Sequence, residues 1–229
     1  MSKGINDLLF RPGWFIGTET IFETIAVLVT FFIGCYSYRV YKLSGNKRYH
    51  FLSVGFLAMS LGFLSKVISN IVVLYYTPLV NLIDAIPLLK PTYIYTGSLI
   101  LYGFLVLSGY IVLACLAENI RNRRIIISLS FIALLASVLI RQARSFTFFY
   151  FFAFVLLVVY IVPYMYNNYK NQKSISSYLV FLAFLLLTLA NLVFMSIGAY
   201  GVKLYVIGHG ISLLAYLVLI INLILVLRK

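Results

Sequence analysis

Apolar residues run along this chain in seven long stretches, near 16–38, 50–76, 93–117, 124–140, 146–167, 174–197 and 204–227, separated by short polar punctuation. Each is long enough to cross a hydrocarbon core of ~30 Å as a helix, which takes roughly 17–25 residues. A membrane barrel would instead need alternating segments of about ten residues, and backbone groups in lipid have to be satisfied within their own segment. The pattern predicts an all-α, polytopic integral membrane protein, a single domain over 1–229 built as a bundle of seven transmembrane helices. Turn residues punctuate it: Ser44, Gly45 and Asn46 after the first span, Asn167, Asn168 and Asn171 after the fifth, Gly198 and Gly201 after the sixth. Pro163 predicts a bend near the inner end of the fifth helix. The longest connection, 77–92, carries Pro78, Pro87 and Pro91, and Leu79, Val80, Ile83 and Ile86 follow helical spacing. A short interfacial helix over 79–87 is one reading of it, a surface loop the other.

A self-comparison at an offset of 125 aligns Asn46 with Asn171, Phe56 with Phe181, Ala58 with Ala183 and Lys66 with Asn191. Such an offset would make two triplets of helices joined by a linker helix, a parallel-repeat plan known in transporters, although Leu- and Phe-rich helices also match by chance.

Composition strengthens the membrane reading: 63% of residues are hydrophobic and 10% charged, with a mean hydropathy of +1.05, against about 45–50% and 25% in soluble domains. The 19 Tyr and 19 Phe recur at many span ends, as an interfacial belt requires. The net charge of +13 would raise nucleic acid as a partner in a soluble protein, but here its distribution points to lipid. Eleven of the 18 basic residues fall in 39–49, 118–124, 168–173 and at the C-terminus, six on the other side, and Lys66 inside a span. The positive-inside rule then places the N-terminus outside and the C-terminus in the cytoplasm of a multi-pass cell-membrane protein. The cytoplasmic basic loops meet anionic headgroups of the bilayer, and a partner protein or a homo-oligomer is open. Cys35 and Cys115 both fall near the inner ends of spans, where thiols stay reduced, and are expected as packed thiols. Phe32, Ile33, Gly34 and Cys35 loosely resemble a lipoprotein signal end, but Asp7, Glu19 and Glu23 precede them, so no cleavage is expected. With only two Gln and abundant Ile, Lys and Tyr, the composition leans toward that of a thermophile.

Ionisable groups inside a membrane are costly and point to function or to helix pairing. Lys66 lies too deep in the second span to reach water alone and needs a partner; Glu23 on the first span lies at comparable depth, with Glu19 one turn away on the same face. A Glu23–Lys66 pair is expected. Asn70 shares the face of Lys66, Asn191 sits in the outer half of the sixth span, and His209 in the outer half of the seventh, with Tyr205 one turn shallower and Ser212 one turn deeper. Glu19, Glu23, Lys66, Asn70, Asn191, His209 and Ser212 therefore form a candidate ligand-binding or proton-coupling site open to the outside; interhelical glue is the alternative, since buried polar groups also hold membrane helices together.

Sharper chemistries fail on residue supply. A catalytic zinc site usually takes three protein ligands, as in sets of three His, two His with one Glu, or two Cys with one His, and the outer half offers a single His, His209, with Glu19 and Glu23, while His50 belongs at the opposite face. Seven spans with an outward N-terminus is also the plan of microbial rhodopsins, but 204–227 holds no lysine for a retinal Schiff base. Ser108 lacks the first glycine of a rhomboid-type GxSG motif, and no catalytic motif, metal or cofactor is expected. Two functions stay open: a small-solute or proton-coupled transporter, and a seven-helix sensor, receptor-like module or complex subunit signalling to a cytoplasmic partner. The carrier needs a polar route through the inner half, where Asn222 and scattered Ser and Tyr are all the sequence offers.

Overall fold

The computed structural model describes residues 13–83, 91–120, 122–138, 143–197 and 202–228, and among them every regular element is helical. A 3-10 turn, Gly13–Phe15, leads into α1, Ile16–Ser44; then come α2, Lys47–Ile83, α3, Pro91–Ala117, and α4, Arg123–Val138. Next is α5, which comprises Ala143–Leu156, a π-helical turn Leu157–Ile161 and Val162–Gln172; α6, Ile175–Met195, and α7, Val202–Leu227, complete the chain. Six of these are long and apolar enough to cross a membrane; α4 is apolar but shorter.

The six long helices close a ring. Each packs on its neighbour in the order α1, α2, α3, α5, α6, α7 and back to α1, while α4 lies outside, packed on α3 and touching α5. Side chains facing away from the axis are large and apolar, among them Ile21, Leu61, Phe131, Leu214 and Ile221, all at least half exposed. Tight helix pairs depend on small residues. Ser53 donates from Oγ to the Gly34 carbonyl at 2.8 Å and Ser60 to the Val27 carbonyl at 3.1 Å, which ties α2 to α1. At the α2–α3 crossing Gly55 and Gly109 face each other, and a Cβ added to Gly109 would lie 2.8 Å from the Gly55 carbonyl oxygen.

Three features differ from the hydropathy reading. α1 runs through the basic residues Arg39 and Lys42 to Ser44, so only Gly45 and Asn46 separate it from α2. Charge had marked the span's end, but the first true breaker is Gly45, whose left-handed φ of 65° caps the helix while its N–H donates to the Tyr41 carbonyl. α2 continues through Pro78 to Ile83, so the segment read as a separate helix over 79–87 begins as part of α2, and 84–87 lies outside the described residues. A proline removes one donor and crowds one carbonyl, and a helix can carry on past it. At Pro163 the expected bend takes the form of a π turn, in which the Val162 N–H reaches back five residues to the Leu157 carbonyl, the usual way a helix absorbs a misfit residue. Of the cysteines, Cys115 is buried as expected, but Cys35 is exposed on the outward side of α1.

Gly109→Val puts branched carbons into the Gly55 backbone and is expected to cost about 1–3 kcal/mol, as overpacking does. Thermal unfolding in detergent measures this; an unchanged midpoint would mean the α2–α3 contact is looser than described.

Candidate functional site

Glu19 and Glu23 lie one helical turn apart on the inward face of α1, and Lys66 and Asn70 one turn apart on α2. The two helices form an antiparallel hairpin about Gly45 and Asn46, and residues equidistant from that turn come level. This brings Lys66 onto both carboxylates. Its Nζ is 2.8 Å from Glu19 Oε1 and also contacts Glu23 Oε1. Asn70 donates from Nδ2 to Glu23 Oε2 at 3.1 Å. Closure of the ring adds α7, where the Tyr205 hydroxyl donates to Glu19 Oε1 at 2.6 Å. His209 places Nε2 3.6 Å from Glu19 Oε1 and 3.9 Å from Glu23 Oε1. All four ionisable side chains are buried, Glu19 completely.

Charge counting makes this cluster unusual. Two carboxylates and one ammonium leave a single negative charge, and an unbalanced charge in a low-dielectric interior is costly. The His209 ring is already committed at its other nitrogen: Nδ1 lies 3.0 Å from the Tyr205 backbone carbonyl. Since a carbonyl only accepts, Nδ1 carries a hydrogen and Nε2 is the atom free to take or release a proton. A proton there faces both carboxylates and neutralises the cluster. Phe15 and Phe194 stand edge-on to the imidazole at 5.7 and 4.9 Å between ring centroids, and these rings keep water off that side.

Next to the cluster is a cavity of about 60 Å3, lined by all six ring helices and including Glu23, Lys66, Asn191, His209 and Ser212. At roughly 10–15 Å3 per water, it holds about four water molecules. Four tyrosines, Tyr102, Tyr110, Tyr150 and Tyr216, share its wall, and the Lys66 ammonium lies 5.1 Å above the Tyr102 ring. Of the seven residues singled out from sequence, Glu19, Glu23, Lys66, Asn70 and His209 form one bonded cluster. Asn191 and Ser212 line the adjoining cavity, and Asn191 donates to the Leu187 carbonyl of its own helix at 2.7 Å. The expected Glu23–Lys66 pair has Glu19 as an equal partner. Sequence reasoning noted Tyr205 but did not assign it to the site, and it missed Tyr102; one helical turn from Tyr205 to His209 was the only signal.

Glu19, Glu23 and His209 offer ligand atoms within 4.8 Å of one another, close enough in principle to hold a metal ion. The Lys66 ammonium already sits on both carboxylates, where a cation would bind, and like charges exclude each other there. The arrangement suits a proton better than a metal.

Lys66→Met leaves both carboxylates without their cation and is expected to lower stability by about 3–5 kcal/mol, the usual cost of breaking a buried pair. Adding Glu23→Gln to that variant should recover part of the loss. Thermal unfolding of the three proteins checks this, and equal midpoints would show that Lys66 is not bound as described.

Comparison with protein-family models, with curated proteins and with solved structures finds no match to this chain.

Proposed function

We propose that the chain is a multi-pass cell-membrane protein with its N-terminus outside, and that it is a proton-coupled transporter. The apolar outward faces of the six long helices support insertion, and the excess of basic residues at the inner ends supports the orientation, with those residues against anionic headgroups.

One observation carries the transport reading: a second cavity lies toward the inner ends of the ring helices. It occupies the inner ends of five of the six ring helices, α1, α2, α5, α6 and α7, lined on α1 by Ile33, Tyr36, Ser37 and Val40, on α2 by Tyr49, Leu52 and Phe56, and on α7 by Leu219, Asn222 and Leu223. The polar inner residues that look scattered in the sequence thus converge. Between the two cavities is an aromatic plug, with Phe56 against Phe184 at 6.3 Å and Phe63 against Tyr216 at 5.6 Å between ring centroids. An outer cavity with a titratable cluster, a layer of aromatic rings and an inner cavity are the parts that an occluded carrier requires, and they support this reading. A sensor reporting to a cytoplasmic partner needs the outer cup alone, and the inner cavity has no part in it.

The reading predicts sidedness. With Cys35 and Cys115 replaced by Ser, Ser212→Cys in the outer cavity should react with a membrane-impermeant methanethiosulfonate added to either side of sealed vesicles, because a carrier exposes its site alternately. Phe184→Ala, which thins the plug, should speed labelling from the cytoplasmic side. Labelling from the outside alone, in both proteins, would leave a cup without a route and remove the transport reading.

A further inference from the structure

The inner cavity, at about 340 Å3, is far larger than the outer one. It is more than twice the size of an apolar protein cavity of about 150 Å3 that stays dry and takes up benzene. Its polarity is graded. Ser176 is the second residue of α6 and Tyr49 the third of α2, while Ser37 and Asn222 lie in the last two turns of α1 and α7, so the polar groups sit at the cytoplasmic mouth. Phe56 and Phe184 form the floor about two turns deeper, with Leu219 about one turn below Asn222. No charged side chain is among the described residues that line it.

From this gradient we infer that the inner cavity binds an uncharged lipophilic molecule, its apolar body on the floor and a carbonyl or hydroxyl oxygen at the mouth. The acceptor preference comes from Asn222. Its carbonyl oxygen receives the Ser176 hydroxyl at 2.6 Å, which leaves the amide N–H groups as donors for an oxygen on the ligand. A carboxylate or ammonium would have to shed water with no countercharge in the wall, which disfavours ions. In this conformation the outer cavity, at about 60 Å3, is too small for such a lipophile, so the two cavities divide the work: the Glu19–Glu23–Lys66–His209 cluster takes the proton and the inner cavity takes the lipophile. As cargo the lipophile rests on the transport reading; as a bound ligand it does not.

Four eight-carbon probes separate the possibilities on the purified, full-length protein: 2-octanone, octane, octanoate and octylammonium, each titrated at matched membrane concentration while thermal unfolding is followed. The ketone should raise the midpoint saturably, by about 3–6 °C at ten times its dissociation constant, octane less, and the two ions not at all. Val180→Phe and Leu223→Phe, which fill the cavity, should abolish the effect; Leu225→Phe, at a position 39% exposed on the outer surface, should not. Asn222→Leu should reduce the ketone to the level of octane. A shift that never saturates, that survives both filling variants, or that is largest for octanoate overturns the inference. Should the filled variants fail to fold, a native mass spectrum of the unmodified protein decides: one 2-octanone per chain upholds it, none or many overturns it. Loss of probe binding leaves two-sided labelling of Ser212→Cys standing, and one-sided labelling leaves probe binding standing, so the ligand and the transport reading fail separately.

Discussion

A lysine buried among apolar helices has to bring its countercharge with it, and in this protein that requirement closes the fold. Lys66 on α2 takes both carboxylates from α1, and those carboxylates in turn take the Tyr205 hydroxyl and face the His209 ring from α7. The first and last helices of the ring are thus held together at the level of the buried charge. Everything else about the outer cavity follows. All six ring helices line it, and its tyrosine wall supplies polar edges without adding charge.

The helices were legible because long apolar runs leave few alternatives, and the α1–α2 part of the cluster was legible because a buried lysine needs a partner and Glu23 stands at comparable depth on the preceding span. The complete burial of Glu19 was not legible, because it depends on the packing of α7 against α1. The role of Tyr205 depends on contact between residues 186 positions apart, and no local pattern encodes that closure. The inner cavity was hidden for a related reason: Ser37, Ser176 and Asn222 stand singly on three helices, and each looks incidental until the ring brings them together. Helix ends were misjudged where charge stood in for a breaker, at Arg39 and Lys42 in α1.

The six long helices are arranged around the ring in chain order. α1, α2 and α3 pack in chain order, as do α5, α6 and α7, and the junctions α3–α5 and α7–α1 occupy equivalent places, with α4 set aside as the link. Lys66 and Asn191, paired by the offset of 125, both face the central cavity from the middle helix of their triplets. The α2 residue of this pair carries a charge and the α6 residue an amide, and the titratable groups gather at the α7–α1 junction.

The unequal count of two carboxylates and one ammonium has an electrical consequence. Loaded with its proton the cluster is neutral; unloaded it carries one negative charge. For a carrier in an energised membrane, the potential, worth about 2.3 kcal/mol per charge per 100 mV, then acts mainly on the return of the empty protein. A negative interior drives that charge outward, back to the side where protons are taken up. Voltage would reset the cycle, and the proton gradient would load it.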